Sequence, residues 1–287
     1  MKILKYIVAI TLFFSLSNCQ SGAQELGCPK TEKKIGLQMY SVRDTINKDF
    51  KGTIAALSAI GFKDLEAAGY NDGKFYGLTP EAFKAELKAV GLNPLSSHTG
   101  RSLADDVSKT DWDKIWSWWN TCIAAHKTAG MKYVVVPGMP HPKTLADLKT
   151  YCDYYNQIGE KCNQAGLAFG YHNHAWEFEQ VEGETILDFM LKNTDPEKVF
   201  FQMDVYWTVI GKKSPVDYFK SYPGRFKLLH IKDDKELGQS GMVGFDAIYK
   251  NIETAGAIYS IIEVENYNYD PLESVKISLE YLETAPF

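Results

Sequence analysis

The chain has 287 residues, 45% of them hydrophobic and 23% charged, a balance typical of a folded globular enzyme. Its formal net charge of −5 argues against a nucleic-acid partner, since a phosphate backbone selects basic faces. None of its five cysteines forms a CxxC pair, which argues against a zinc ribbon or a thioredoxin-like motif.

Residues 1–19, "MKILKYIVAITLFFSLSNC", place Lys2 and Lys5 ahead of an apolar run from Ile7 to Phe14, followed by "LSNC". A basic start, a short apolar stretch and a nearby processing site form the pattern of a secretory signal. The run is shorter than the ~20 apolar residues of a membrane-spanning helix. "LSNC" resembles a bacterial lipobox with Cys19 as the lipidated residue, although Asn18 departs from the usual small residue, so an ordinary signal peptide is the alternative. The sequence thus predicts an exported protein, periplasmic or anchored at the outer membrane, whose membrane contact is a lipid on Cys19. Removal of residues 1–18 takes away two lysines and moves the formal charge from −5 to −7. "QSGAQELGCPKTEKK" (20–34) reads as a polar tether, and the folded domain is expected over 35–287.

From Ile35 onward, short apolar runs alternate with segments of helical periodicity. The expected strands are "IGLQMYS" (35–41), "FKDLEAA" (62–68), "NPLSSHT" (93–99), "KYVVVPG" (132–138), "LAFGYHNH" (167–174), "VFFQMD" (199–204), "FKLLHIKD" (226–233) and "YSIIEVEN" (259–266). Between them, "DFKGTIAALSAIG" carries apolar residues at 50, 54, 57 and 60 and ends in Gly61. "TPEAFKAELKAVG" opens with a Thr cap and a Pro at the first helical position and ends in Gly91, and "SPVDYFKSYPG" and "DPLESVKISLEYL" carry similar start signals. Strand starts recur about every 30 residues, the length of one β-α unit, and eight such units predict a single (β/α)8 TIM barrel. A doubly wound sheet is the competing fold, but no GxGxxG follows the first strand. In "DWDKIWSWWN" (111–120), Trp112, Trp116 and Trp119 lie at helical spacing, which suits core packing or an interface better than sugar stacking. Association into a homo-oligomer is left open.

Barrel enzymes keep their chemistry at the C-terminal ends of the strands. There the sequence offers Gln38 and Tyr40, Glu66, His98, His172 and His174, Asp204, His230 and Lys232, and Glu263 and Glu265. The fourth strand offers no titratable group. Alternation along a strand puts His172 with His174, His230 with Lys232, and Glu263 with Glu265 on one face. Imidazoles mixed with carboxylates suit one divalent ion such as Mn2+, Co2+, Zn2+ or Mg2+, without which clustered carboxylates repel each other. Taken singly, each has a plainer reading: His230 as a core histidine, Asp204 as a helix cap, Glu66 as an ion-pair partner.

"GLQMYSVRD", "YHNHAWEFE", "MDVYW", "LLHIKD" and "IIEVENYNYDPLESVKISLEYL" together resemble the sugar phosphate isomerase/epimerase superfamily, the xylose isomerase-like barrels, from about Ile35 to the C-terminus. The resemblance implies a divalent metal held by Glu, Asp, His and Glu from strands five to eight, whose matching positions here are His172, Asp204, His230 and Glu263. A His thus replaces the strand-five Glu, and Trp207 replaces the family's usual His three residues after the Asp. The symmetric two-carboxylate exchange of epimerases therefore fits this chain poorly. The chemistry implied is proton abstraction next to a carbonyl, with His174 and Glu263 as proton-handling groups and Lys232 as the cation facing the enediolate. Gln38, Tyr40, Glu66, His98, Glu177 and Glu265 are the expected substrate contacts, with Trp207 stacking on a sugar face. Relatives with a "YHNH…EF" strand five include enzymes that act on 3-keto-glycosides by elimination or hydration. Export and the absence of a Gly-rich phosphate loop favour an unphosphorylated keto-sugar or 3-keto-glycoside, with lyase or hydratase chemistry ahead of isomerisation or epimerisation. A non-catalytic sugar-binding lipoprotein is the alternative from another class, and a metal-dependent nuclease would want a basic groove.

Overall fold

The computed structural model describes residues 33–287, so the expected signal, Cys19 and nearly all of the tether lie outside the described residues. Eight parallel strands form one sheet: β1 (Ile35–Gln38), β2 (Asp64–Ala67), β3 (Asn93–Ser97), β4 (Tyr133–Val136), β5 (Ala168–His172), β6 (Val199–Asp204), β7 (Leu228–Lys232) and β8 (Tyr259–Glu263). Their order is β3-β2-β1-β8-β7-β6-β5-β4. The remaining seam, β3 to β4, is bridged by His98 against Val135, with the Thr99 N–H donating to the Val135 carbonyl at 2.9 Å. The result is a nearly closed TIM barrel. Each of the eight apolar runs carries one of these strands, and helices fill the intervals.

Local signals explain the helix ends. Asp49 caps α1 (Phe50–Ile60) by accepting from the Gly52 N–H at 2.9 Å, and Thr79 caps α2 (Pro80–Ala89) with Pro80 in the first turn. Asp111 caps α3 (Trp112–Ala129), Thr144 caps α4 (Leu145–Ala165) and, after α5 (Ile186–Asn193), Asp204 caps α6 (Val205–Ile210). Trp119 is fully buried, stacking edge-on against Phe169, while Trp112 and Trp116 pack half-buried against Tyr154. The tryptophan-rich helix is core, as its spacing predicts. Cys122, Cys152 and Cys162 are buried, free thiols.

The strands are apolar on both faces because helices cover the outside and side chains fill the inside. The lower interior is a separate cluster that includes Leu95, Val135, Phe200, Leu228 and Ile261. Gly170 makes room for it: a Cβ there would lie 2.5 Å from the Phe200 ring. Two residues further along the inward face, Leu228 gives way to His230, Ile261 to Glu263 and Phe200 to Gln202. The interior therefore turns from apolar to polar toward the strand C-termini, and this gradient builds the site.

Candidate metal centre and active site

Asp204 and Glu263 end β6 and β8, His230 lies two residues before the end of β7 between them, and His172 ends β5 beside β6. One ligand atom from each of these four buried residues lies within 4.8 Å of the other three. Asp204 Oδ1 accepts from the Trp207 N–H at 2.8 Å as the α6 cap, while Oδ2 is buried with no hydrogen-bond partner. The cap reading of Asp204 is realised on Oδ1, and Oδ2 is left able to bind an ion. His172 Nδ1 is likewise buried without a partner. Two orphaned buried polar atoms in one four-residue set are costly unless an ion completes them. The residues fit a divalent cation.

Burial and the neighbouring His230, His98 and His174 hold His172 well below its ordinary pKa, so it is neutral and one ring nitrogen can offer a lone pair to a metal. Burial and the Glu263 charge push the Asp204 carboxyl up, against the opposing pull of Lys232 and His230, as expected for two carboxylates in one dry pocket. His230, unlike His172, is raised, to about 10: burial lowers it, but Glu263 and Glu66 outweigh that, so an ion bound at this ring would displace a proton. Both ring nitrogens of His230 face carboxylates, Nε2 at 2.6 Å from Glu66 and Nδ1 at 3.2 Å from Glu263. It is not a core histidine bonded to a carbonyl.

Glu66 lies beneath the four-residue set. It accepts from Gln38 at 2.9 Å, Ser96 at 2.6 Å and Gln202 at 2.9 Å, and lies 3.1 Å from His98. Burial raises its pKa, yet His98 and His230 hold it well below the ordinary carboxylate range. Gln38 also accepts from the Tyr40 N–H at 3.0 Å, and His98 meets Gln202 at 2.7 Å.

Three of the expected substrate contacts lie in the protein interior. Gln38, Glu66 and Glu177 are wholly buried, with their polar atoms committed to other protein groups. Glu177 meets the Tyr171 hydroxyl at 2.8 Å and the His174 N–H at 2.7 Å, because β5 ends at His172 and the chain turns back through 176–178. It holds the loop that carries His174. His98, also expected as a contact, is mostly covered and belongs to the same interior network as Glu66.

The remaining site residues lie closer to the C-terminal ends of the strands or in the loops beyond them. His174 lies 4.9 Å from His172 between ring centroids, and burial lowers its pKa less than the Glu177 bond and charge raise it. Lys232 is 1% exposed, pairs with Glu265 at 3.0 Å, and sits 5.1 Å and 5.5 Å from the centroids of Tyr206 and Trp207. Tyr40 is exposed at the rim under Arg43, whose guanidinium also donates to the Tyr267 hydroxyl at 2.8 Å and the Glu265 carbonyl at 3.0 Å. Gln202, Asn173 and Arg43 were not singled out from sequence. Gln202 carried a signal: a polar residue inside "FFQMD", two before Asp204 and so on the same face.

A family model, the xylose isomerase-like TIM barrel, matches residues 54–285. The chain belongs to the xylose isomerase-like TIM barrel family. This xylose isomerase-like barrel is similar to two crystal structures of Parabacteroides distasonis sugar phosphate isomerase/epimerases. One is 36% identical, covering 88% of this chain and 99% of that one with a TM-score of 0.81. The other is 34% identical, covering 92% and 98% with a TM-score of 0.83. It is also similar to an inosose dehydratase of Geobacillus kaustophilus, 23% identical over 177 residues, 56% of each chain. The match thus spans little more than half the length of that relative. The fold and the superfamily expected from the motifs are those found, a TIM barrel of the sugar isomerase/epimerase type.

Proposed function

We propose that this chain is a divalent-metal-dependent carbohydrate enzyme that removes a proton next to the carbonyl of an unphosphorylated keto-sugar or keto-glycoside, with elimination or hydration following. The observation that carries this reading is the buried set His172, Asp204, His230 and Glu263, with one oxygen and one nitrogen left without partners. Those four residues would hold Mn2+, Co2+, Zn2+ or Mg2+, and the ion supplies Lewis-acid polarisation of the carbonyl when bound.

The chain's own residues account for the rest. Lys232, buried against two aromatic rings, places a positive charge where the carbonyl oxygen gains electron density. Glu265 holds its ammonium in place. His174, at the mouth and oriented from below by Glu177, takes the proton from the carbon. The Glu177 carboxylate lies 3.9 Å from His174 Nδ1, which leaves Nε2 as the nitrogen that exchanges it. Glu263 is pushed up by burial but pulled further down by His230, so it stays ionised and serves the ion better than it serves as a base. With His at 172 instead of a second carboxylate, proton return to the opposite face of the sugar has no symmetric partner. That asymmetry, with the inosose dehydratase similarity, favours loss or addition of water or an alcohol. Export through residues 1–19 would put the reaction outside the cytoplasm, where free keto-sugars and glycosides are the available substrates.

Incubation of the metal-loaded protein with a 3-keto-glucoside in D2O tests the chemistry. Deuterium should enter at the carbon beside the keto group, and His174→Gln should slow its entry at least 100-fold. Absence of enzyme-dependent exchange with 3-keto-glucosides and free keto-sugars would overturn the reading.

A further inference from the structure

A cleft of about 670 Å3 opens beside the proposed reaction centre, lined among others by His174, Trp176, Phe178, Trp207, Ile210 and Lys212. It is continuous with the centre. His174 belongs to both, its ring 4.9 Å from His172, and Trp207 belongs to both, its ring 5.5 Å from the Lys232 ammonium. A free monosaccharide held at the four-residue set would leave this space unused.

The lining has a defined chemistry. Two indoles, a phenyl ring and an isoleucine supply flat apolar surface, while Glu179 and Lys212 supply polar groups. Flat apolar walls with a few polar groups suit a ring that is apolar on its faces and polar at its edge. The walls are held in place. Trp176 packs against the His141 ring at 5.0 Å, and His141 meets Glu179 at 3.3 Å. Phe178 is buried so closely against Gly211 that a Cβ there would overlap its ring. Lys212 adopts a φ of 60°, a left-handed conformation that glycine would take more readily, so a lysine sits on this turn against local preference.

We propose that this cleft is the subsite for the departing group of a glycoside: a ring carried on the glycosidic oxygen, stacked on Trp176 and Trp207. The proposal rests on the elimination reading above and specifies its substrate as a glycoside. In the step itself, the carbon beside the carbonyl gives its proton to the protein base, and the C–H electron pair becomes a C=C bond. The glycosidic C–O bond breaks, and its oxygen leaves with the electron pair and takes up a proton. The products are an unsaturated keto-sugar and a free alcohol. Nothing is oxidised or reduced overall, and no co-reactant is consumed.

Binding separates this subsite from the chemistry, because glucosides without a keto group lack the acidified C–H and are not turned over. Calorimetry of the metal-loaded protein with 4-nitrophenyl β-glucoside, cellobiose and methyl β-glucoside reads an aromatic ring, a second sugar and no ring, respectively. At least one of the first two should bind ten times more tightly than the methyl glucoside, and which one does so identifies the departing group. Trp176→Ala should bring it to the methyl level, and Trp176→Phe should restore most of the preference. Equal binding of all three, binding of none, or a preference that survives Trp176→Ala would overturn the proposal. A ring preference lost in Trp176→Ala supports the cleft even where the corresponding keto-glycosides show no deuterium exchange, a result that removes the elimination chemistry alone.

Discussion

At the scale of single residues, the proposed site divides into groups that would hold an ion and groups that would act on substrate. His172, Asp204, His230 and Glu263 offer ligand atoms within 4.8 Å, while Glu66 fixes His230 from below at 2.6 Å. A carboxylate behind a ligating imidazole sets its tautomer and raises its basicity, and losing one typically weakens metal binding 10–100-fold. Glu66→Gln should therefore lower divalent-ion affinity by about that factor while leaving the barrel folded, measured by competition with a chelating dye. An unchanged affinity would make Glu66 a purely structural part of the barrel interior. The ligand candidates were legible in the sequence because alternation and strand-end position are properties of the chain itself. The split between substrate contacts and interior supports was not. Glu66 and Gln38 occupy strand-end positions like the others, and only the curvature of the closed barrel shows that they point beneath the site. Glu177 sits on a turn whose fold-back no periodicity encodes.

At the scale of elements, the eight apolar runs gave the barrel, and capping residues such as Asp49, Thr79 and Asp270 gave the helix starts. The expected strands reached too far at their ends: His174 and Glu265 lie beyond β5 and β8, in loops where direction is no longer set by alternation. This is why His174 is free to stand at the mouth instead of packing inward. Close approach between elements is another feature the sequence does not announce. Gly159 on α4 packs against the Lys198 carbonyl just ahead of β6, so closely that a Cβ would overlap that oxygen. Backbone cannot yield as a flexible side chain does, so Gly159→Ala should destabilise the fold by about 1–3 kcal/mol. A fall in the urea midpoint would show it, and an unchanged midpoint would mean that α4 can shift outward without cost.

At the scale of the whole molecule, one buried histidine outside the site links stability to pH. His126 on α3 meets the Cys122 carbonyl at 2.7 Å and the Ser97 hydroxyl at 2.5 Å, with no carboxylate among these partners to offset a charge on the ring. Burial lowers its pKa from 6.5 to about 4, partly offset by the Cys122 bond. Because the folded value is the lower one, the unfolded chain takes up this proton first. Stability is complete above pH 6.5 and is lost as the pH falls toward 4, by about 3 kcal/mol at most. Urea titrations at pH 7 and pH 4.5 should show this loss in the wild type and a smaller one in His126→Gln; equal losses would contradict it.

The central claim is that the polar ring at the strand ends is a divalent-metal centre. Metal analysis of the purified protein, against Asp204→Ala and His230→Ala, tests it most directly. The account predicts about one tightly held divalent ion per wild-type chain, from one ligand set, and its loss from both variants. A wild type without such an ion, or variants that keep theirs, would contradict it.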